Sequence, residues 1–463
     1  MALTGSEISE PMTARFAPAR LLVHLRVWLA DQGHRSVAQR IAGTAFLIRI
    51  VSAALAYGTQ VLLARWMGSH EFGIFVYVWT WVMLIGGFAD LGLASAAQRF
   101  IPQYGESGAL AKLRGYLSGS RWLAFGIATA TAILCALAIH LAQPWLDDYT
   151  IVPLYLACVC LPVYGVMHVQ DGIARSFNWV NLALVPPYIV RQLVVVVLMG
   201  AAWLAGAPTD ATSAVIIAAI SIWLTALGQT FFLNRRLGKQ VEHGNKEYEL
   251  RNWFALSIPM FAVDSLYSML MYVDVLVLKQ FRTPDEIAVY YAALKTLSLV
   301  AFVYFAVAAA SAHRFAEYHV AGDRARLDGF LRDVVRWTFW PSLGATILLL
   351  ACGWPMLWLF GKGFVAGYHL MFIFAIGLLA RASIGPAERF LVMLGEQRVC
   401  ALIAALAFAT NLGLCLILVP RFGVEGAACA ITIAFIMESA LLFLVAREKL
   451  GFHIFVFGGS RSG

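Results

Sequence analysis

The stretch RRLGKQVEHGNKEYELR, residues 235–251, is the longest polar interruption near the middle of an otherwise apolar chain. Apolar segments long enough to cross a bilayer lie on both sides of it, six before and six after. Because six crossings return the chain to the side from which it started, both halves begin on the same side of the membrane. The stretch is therefore predicted to link two lobes of equal topology.

The composition supports this interpretation. Of the 463 residues, 61% are hydrophobic and only 13% are charged, more apolar surface than a soluble protein of this size could bury. About 20 apolar residues are enough to cross roughly 30 Å of hydrocarbon. The predicted fold class is all-α, a polytopic membrane protein whose twelve transmembrane helices form two six-helix lobes. The spans are expected at residues 41–65, 73–98, 121–142, 151–170, 182–205, 212–234, 253–278, 287–312, 337–360, 367–390, 400–420 and 424–446.

The segments outside the spans complete the predicted domain organisation. Residues 1–40 form a cytoplasmic tail, 41–234 the first lobe, 235–252 the linker, 253–450 the second lobe and 451–463 a second cytoplasmic tail. Within the first tail, ARLLVHLRVWLA at 19–30 has the pattern of a short amphipathic helix at the membrane surface. An ordinary tail is the equal alternative.

The basic residues indicate which side each loop faces. If residue 1 lies in the cytoplasm, 25 of the 34 Lys and Arg fall on the cytoplasmic side, 5 on the other side and 4 within spans. Both termini are therefore predicted to be cytoplasmic. The net charge of +8 is a topology signal rather than a nucleic-acid-binding surface.

Several classes of function are disfavoured. The seven cysteines all fall in apolar spans without metal-ligand spacing, and neither a Walker loop nor a catalytic triad is present. No loop on the non-cytoplasmic side is long enough for a catalytic domain, the longest being QPWLDDYTIVP at 143–153. The sequence predicts no enzyme, no cofactor and no metal site, and any function must reside in the membrane bundle.

Four cations lie inside predicted spans, where a charge costs roughly 2.5–3.5 kcal/mol and usually faces a bundle interior or a wet cavity. Arg381 is the strongest candidate for a binding role, because Gly377 and Gly385 flank it near the middle of the tenth span. An ion pair with an acid on another helix is the alternative. The other three candidates are Arg49, on a small-residue face of the first span, Lys295, and Arg191, which could instead reach the cytoplasmic surface.

The embedded acids are Asp90 late in the second span, Asp264 and Asp274 in the seventh and Glu438 in the twelfth, so the first lobe has none at its centre. Asp264, Asp90 and Glu438 are candidates either for ion coupling or for pairing with one of the cations.

Two stretches resemble a known family. LLARWMGSHEFGIFVY at 62–77 resembles the first hairpin of bacterial polysaccharide flippases, in which an Arg ends one span and a Gly, acid, Phe-Gly turn opens the next. GEQRVCALIAALAFATNLGLCLILVPRFGVEGAACA at 395–430 resembles their carboxy-terminal module. The resemblance is to the O-antigen and exopolysaccharide (Wzx-type) branch of the multidrug/oligosaccharidyl-lipid/polysaccharide exporter superfamily.

This resemblance implies two lobes around a central cavity that moves undecaprenyl-diphosphate-linked oligosaccharide across the bacterial inner membrane by alternating access, for lipopolysaccharide or exopolysaccharide biosynthesis. The four cations would then bind the diphosphate or an anionic sugar. The expected partners are the lipid-linked oligosaccharide, membrane lipid, H⁺ or Na⁺ as coupling ion, and polysaccharide polymerase or export proteins.

Two other functions stay open. A cation-coupled multidrug exporter of the same superfamily would be expected to carry acids in its first lobe, where this chain has few. A membrane polysaccharide polymerase or ligase would be an enzyme with a large non-cytoplasmic loop, and no such loop is predicted.

Overall fold

The computed structural model describes residues 34–320 and 324–457, and every regular element within them is helical. The predicted amphipathic helix at 19–30 lies outside these residues. The helices are α1 His34–Phe88, α2 Leu93–Glu106, α3 Leu110–Ala142, α4 Asp148–Cys158, α5 Leu161–Ser176, α6 Val180–Val185, α7 Arg191–Leu204, α8 Ala211–Gln240, α9 Leu250–Phe281, α10 Pro284–Leu297, α11 Ala301–Val320, α12 Arg324–Ala351, α13 Gly353–Phe360, α14 Tyr368–Ala382, α15 Ala387–Met393 and α16 Gln397–Leu450.

The described helices confirm a multi-pass membrane protein. Within residues 34–320 and 324–457, nine helical segments are long and apolar enough to cross a membrane, and α4 with α5, which meet at 45°, add a tenth if counted as one crossing. Two of the nine are double length and break at a glycine whose backbone is not helical, Gly68 in α1 and Gly423 in α16. Dividing them there is compatible with twelve crossings, and the exact number stays a prediction.

Several predicted spans are interrupted rather than continuous. The second breaks between α1 and α2, where Gly92 has a φ of +78° and packs against the carbonyl of Ser257. The ninth span, predicted at 337–360, is displaced toward the amino terminus. Helix α12 begins before this range, at Arg324, and ends inside it, at Ala351. The fifth contains a π-helical turn at Pro186–Val190, and the eighth contains a 3₁₀ turn at Ser298–Val300. The hydropathy pattern does not show these interruptions because the residues remain apolar.

The two halves of the chain, 34–240 and 250–457, pack together at the end of the bundle opposite residues 241–249. We call this the closed end. Arg65 donates to the carbonyls of Leu359 at 2.6 Å and Trp358 at 2.8 Å. Ser69 and His70 both contact the Asp285 carboxylate. Each of these contacts joins one half to the other.

Two further contacts join the two halves at the closed end. Lys279 bonds to Asp147, and this bond lowers the pKa of that carboxyl group. Gly73 lies so close to Pro284 that an added Cβ would stand 1.8 Å from the Pro284 carbonyl oxygen. Only glycine permits this approach of α1 to the start of α10.

The predicted linker is shorter and more ordered than its polar sequence suggests. Helix α8 continues to Gln240 and α9 begins at Leu250, so only 241–249 is non-helical. This segment is docked on the amino-terminal half. Glu249 accepts hydrogen bonds from Tyr104 at 2.6 Å and Lys112 at 2.9 Å, and these bonds lower the pKa of Glu249.

The predicted second tail also packs against the bundle over its first residues. In GFHIFVF, residues 451–457, the alternate side chains Phe452, Ile454 and Val456 are buried. They join a hydrophobic cluster formed by α11, α12, α15 and α16. A segment of seven residues is too short to stand out in the sequence as a structural element.

Candidate functional site

A cavity of about 240 Å³ lies between the two halves of the chain, and we call it the interface cavity. The amino-terminal half contributes residues of α1, and Arg191 and Gln192 of α7. The carboxy-terminal half contributes residues of α9, α10 and α11. The lining comprises Ala53, Ala56, Tyr57, Gln60, Trp79, Thr80, Met83, Arg191, Gln192, Tyr272, Tyr291, Lys295, Ser298, Leu299 and Phe302. Two of the four predicted cations, Arg191 and Lys295, therefore meet here from opposite halves.

Arg191 owes its position to the π-helical turn that precedes it. Pro186 and Pro187 provide no backbone N–H, so a regular α-helix cannot run through this point. The Arg191 Nε donates to the Pro187 carbonyl at 3.1 Å, and the Ser221 hydroxyl donates to the Arg191 carbonyl at 2.7 Å. Its guanidinium carbon lies 5.7 Å from the centre of the Trp79 ring. The structure thus places Arg191 in the cavity.

Lys295 occupies a similar setting on the other side. It lies at the end of α10, just before the 3₁₀ turn, and Ser298 donates to its carbonyl at 2.8 Å. Its ammonium nitrogen lies 5.0 Å from the centre of the Tyr291 ring. Tyr272 is within electrostatic reach of both Lys295 and Arg191.

Aromatic rings rather than carboxylates hold these two cations. Among the residues that the structure describes, no carboxylate lies within ion-pair distance of Arg191 or Lys295, and the cavity lining contains no acid. Cation–π contacts stabilise a cation without neutralising its charge. The lining of the interface cavity therefore contributes two cations and no acid, with Lys295 also within electrostatic reach of the buried Asp274, and its other polar groups are mainly amides and hydroxyls suited to hydrogen bonding.

The Trp79 ring could in principle stack on a sugar, but its neighbours in the cavity disfavour this role. Phe75 stacks on this indole at 5.7 Å and 15°, and Arg191 lies over the ring as well. Two of the aromatic residues that line the cavity, Trp79 and Tyr291, thus each support a cation.

Arg381 lies elsewhere, in a separate cavity within the carboxy-terminal half. This carboxy-half cavity measures about 500 Å³ and is lined by Tyr267, Met271, Val300, Ala301, Tyr304, Ser342, Leu378, Arg381, Ala382, Glu388, Arg389, Val392 and Met393. The Arg381 Nε lies 3.4 Å from a carboxylate oxygen of Glu438, whose side chain is 1% exposed. The guanidinium also stacks 4.7 Å from the centre of the Phe435 ring. The structure favours the ion-pair alternative for Arg381 and gives Glu438 the role of its partner.

The tenth span breaks next to Arg381. Helix α14 ends at Ala382, α15 begins at Ala387, and the buried residues between them include Gly385 with a φ of +59°. Arg381 is in the last turn of α14, where the negative end of the helix dipole favours a cation. Glu388 and Arg389 lie just beyond the break and line the same cavity.

Arg49 is not among the residues that line either cavity. It occupies the same face of α1 as the lining residues Ala53, Ala56 and Gln60, one turn before Ala53. Ser52, next to this face, donates to the Arg49 carbonyl at 2.8 Å. The small-residue face predicted around Arg49 thus lines the interface cavity, with Arg49 one turn nearer the start of α1.

The other two predicted acids have structural contacts. Asp90 is 4% exposed and accepts from the backbone N–H groups of Gly92 and Ala94, so it caps the start of α2. Asp264 is exposed and accepts from Ser95 at 3.3 Å, a contact between the two halves. Neither acid lies at ion-pair distance from a cation within the described residues.

Asp274, an embedded acid of the seventh predicted span, is not among the predicted site residues. Asp274 is 1% exposed, and it accepts from Tyr290 and from the Val275 N–H at 2.8 Å. Nearby, the embedded Asn411 donates to the Leu270 carbonyl at 3.2 Å. The signal was present in the sequence, since Asp274 lies in a predicted span, but nothing in one sequence pairs it with Tyr290.

The comparisons with known proteins agree with this architecture. A family model described as polysaccharide biosynthesis protein matches residues 41–319. No curated protein matches the sequence.

In the described ranges, no three His, Cys, Asp or Glu side chains form a metal-binding group.

Solved structures of transporters share the fold. A multidrug resistance MATE family transporter of the MOP superfamily, in an inward-facing conformation, aligns with a TM-score of 0.69 at 13% identity over 88% of this chain and 98% of its own. The lipid II flippase MurJ, in an inward closed conformation, aligns with a TM-score of 0.69 at 17% identity over 87% of each chain.

A third match comes from Pyrococcus furiosus. It is a MOP superfamily transporter described as having a binding pocket of reverse polarity, with a TM-score of 0.65 at 13% identity over 89% of this chain and 95% of its own. At these identities the likeness concerns the fold, whereas the family match covers more than half of the chain. The chain therefore belongs to the polysaccharide biosynthesis protein family and has the fold of the MOP superfamily transporters, in agreement with the resemblance of its sequence.

Proposed function

We propose that this protein is a flippase that moves an undecaprenyl-diphosphate-linked oligosaccharide across the bacterial inner membrane by alternating access. The observation that carries the proposal is the interface cavity, where each half contributes one cation, Arg191 or Lys295, and no acid lines the space. A diphosphate leaving water needs charge-assisted hydrogen bonds to offset its desolvation, and these two side chains supply them.

The position of the cations between the halves fits a transport cycle. A ligand held by Arg191 and Lys295 at once contacts both halves, so its binding depends on their relative arrangement. Such differential binding is what allows a ligand to shift a conformational equilibrium. The family match to polysaccharide biosynthesis proteins and the likeness to a lipid II flippase support a lipid-linked substrate.

The distribution of basic residues supports an orientation. Placing residues 235–251 in the cytoplasm puts 25 of the 34 Lys and Arg on that side and both termini in the cytoplasm. The closed end then faces the periplasm. The polyprenyl tail would stay in the lipid during the movement.

The test is substitution of the two cavity cations in cells that depend on this protein for a surface polysaccharide. Arg191→Ala and Lys295→Ala are each expected to reduce surface polymer by about tenfold or more, because each removes one charge-assisted bond of roughly 1.5–3 kcal/mol. Lipid-linked precursor should accumulate on the cytoplasmic leaflet. Immunoblotting of membrane fractions and precursor extraction provide the measurements.

Two variants control this experiment. Lys295→Arg keeps the charge and should retain part of the export. Arg175→Ala removes a cation that pairs with Asp171 at 2.8 Å and lines neither cavity, and it should leave export unchanged. Normal polymer in both alanine variants of the cavity would overturn the assignment of the site, and normal polymer in a deletion strain would overturn the function.

The multidrug exporter is the less favoured function. A cationic drug would face two positive charges in the interface cavity, and like charges in a partly desolvated site repel strongly. Unchanged sensitivity of a deletion strain to cationic drugs is therefore expected. Increased sensitivity together with normal surface polymer would favour the exporter.

A further inference from the structure

The segment 451–457, which we call the carboxy-terminal strap, lies across the break in the tenth span. The Val456 N–H donates to the Ser383 carbonyl at 3.0 Å, just after α14 ends. The Phe452 ring packs on Phe390 of α15, with centroids 5.3 Å apart at 87°. The strap therefore contacts the chain on both sides of the break.

The start of the strap is held by contacts with Arg324 of α12 and by an ion pair at the end of α16. Arg324, at the start of α12, donates to the Leu450 carbonyl at 2.5 Å, and its guanidinium lies 5.2 Å from the centre of the Phe452 ring. Lys449 bonds to Glu396 at 3.0 Å. These contacts fix the point where α16 ends and the strap begins.

The break needs such support. The helical hydrogen-bond series is broken in residues 383–386: the Ser383 N–H still donates to the Leu379 carbonyl, but the Gly385 N–H donates to the Ala382 carbonyl and Pro386 has no N–H. Non-helical backbone at membrane depth is tolerated only where other protein groups satisfy it. Val456 supplies to the Ser383 carbonyl the donor that a continuous helix would have supplied. Without the strap, the Ser383 carbonyl would lose this donor, and α15 would lose the packing of Phe452 on Phe390.

The orientation of α15 matters for the carboxy-half cavity. Glu388 and Arg389 are on α15 and line that cavity, whereas Arg381 reaches it from α14. The angle between the two helices therefore sets the spacing of these charges. We propose that the strap is a positioning element that holds α15 against α14 and thereby places Glu388 and Arg389 opposite Arg381.

Native cysteines report on this arrangement without any engineering. Cys400 is 1% exposed, belongs to the cluster that the strap covers, and its thiol lies 3.9 Å from the Glu388 carbonyl. Cys415 is equally buried but belongs to a different hydrophobic cluster, which contains residues of both halves. The rate of labelling by N-ethylmaleimide, read peptide by peptide by mass spectrometry, compares local opening at Cys400 with opening elsewhere.

Two truncations and two substitutions test the proposal. A stop codon in place of Gly451 removes the strap, and one after Phe457 retains it. Val456→Pro removes the N–H donor and also replaces the buried side chain, whereas Val456→Ile keeps both the donor and an apolar side chain. Loss of one hydrogen bond should raise the Cys400 labelling rate about two- to tenfold in Val456→Pro, with a larger rise in the strapless protein. Cys415 should label at an unchanged rate in all four variants, and Val456→Ile should behave as wild type.

Export of surface polymer gives the functional readout, which rests on the proposed function. Reduced export in Val456→Pro with normal export in Val456→Ile supports the proposal. Unchanged Cys400 labelling without the strap would overturn it, and so would a parallel rise at Cys415, which indicates general loosening. The two proposals can also fail separately. If Cys400 opens selectively in the variants but the wild-type protein exports no polymer, the role of the strap is supported and the proposed flippase function is overturned.

Discussion

Arg191, Lys295 and Arg381 share a local setting that their sequence neighbours do not reveal. Each lies beside an interruption of its helix: a π-helical turn, a 3₁₀ turn and a break of four residues. Each also lies over an aromatic ring, on Trp79, Tyr291 and Phe435 respectively. Interruptions inside membrane helices are frequent at functional sites because they expose backbone dipoles to a ligand or a charge.

The Arg381–Glu438 pair gives a prediction at this scale. Arg381→Leu leaves the Glu438 carboxylate, which is 1% exposed, without its cation. Breaking a buried pair in this way costs about 3–5 kcal/mol, whereas replacing both partners by apolar residues is often neutral. The purified single variant should therefore melt at a lower temperature than wild type, and Arg381→Leu combined with Glu438→Leu should recover most of the loss.

Arg389→Leu is the matched control, because Arg389 lines the same cavity but is exposed. Its melting temperature should stay near that of wild type. Export in the double variant then separates two roles of Arg381. Full recovery means that Arg381 is structural, whereas recovered stability without export means that it also contacts substrate. An Arg381→Leu protein that melts like wild type would contradict the ion pair itself.

At the scale of elements, the docked linker makes stability depend on pH. Because hydrogen bonds from Tyr104 and Lys112 lower the pKa of Glu249 in the folded protein, its contribution is present above the ordinary glutamate pKa and is lost as the pH falls through the folded value. Glu249→Gln should lower the melting temperature by about 1–3 °C at pH 7. The difference from wild type should shrink as the pH is lowered toward 4 and below.

Glu242→Gln provides the comparison within the same segment. Glu242 contacts the amino-terminal half through its backbone carbonyl, which accepts a hydrogen bond from the Arg114 Nε at 2.6 Å. Its side chain is exposed. The substitution should leave melting unchanged at every pH. Equal effects of the two variants would show that the linker responds to net charge rather than to the anchor at Glu249.

The elements were predictable to the extent that they depend on hydropathy. The all-α class, the apolar segments and the polar linker follow from the pattern, because a membrane helix needs about 20 apolar residues. The interruptions did not follow, since Val190, Leu299 and Ile384 are as apolar as their helical neighbours. The strap was missed because a tertiary contact with Ser383, and not its own composition, orders it.

The site was predictable only in part for a related reason. The cost of burying charge identified the four cations, but a single sequence carries no information on which helices are adjacent. Arg191, for which the sequence left the cytoplasmic surface as an alternative, shares a cavity with Lys295. Arg381, the strongest candidate for a binding role by sequence, has an acid partner. The aromatic support of each cation likewise depends on packing between residues distant along the chain.

For the whole molecule, alternating access requires the closed end to separate. A crosslink between Ser69→Cys and Asp285→Cys, whose native side chains are in contact across the two halves, should hold the halves together. A short, cleavable bifunctional maleimide should abolish export, and cleavage should restore it. Polymer export in cells or lipid transfer in vesicles gives the measurement.

A second pair at the same end provides the control. His369 and Glu425 lie 2.9 Å apart but belong to the same half, so a crosslink between His369→Cys and Glu425→Cys leaves the two halves free to separate. Export should continue in that protein. Continued export in the Ser69–Asp285 crosslinked protein would mean that the closed end does not open during transport.

The two cations of the interface cavity would also make the proposed transport cycle respond to the membrane voltage. The lining of an empty cavity contributes the charges of Arg191 and Lys295, which a bound diphosphate with two negative charges would balance. A charge that crosses the full membrane potential gains or loses roughly 2.3 kcal/mol per 100 mV. In the proposed orientation the cytoplasm is electrically negative, so the voltage would draw the empty cavity back toward the cytoplasm and leave the loaded one nearly unaffected. The membrane voltage would then reset the empty transporter after each delivery.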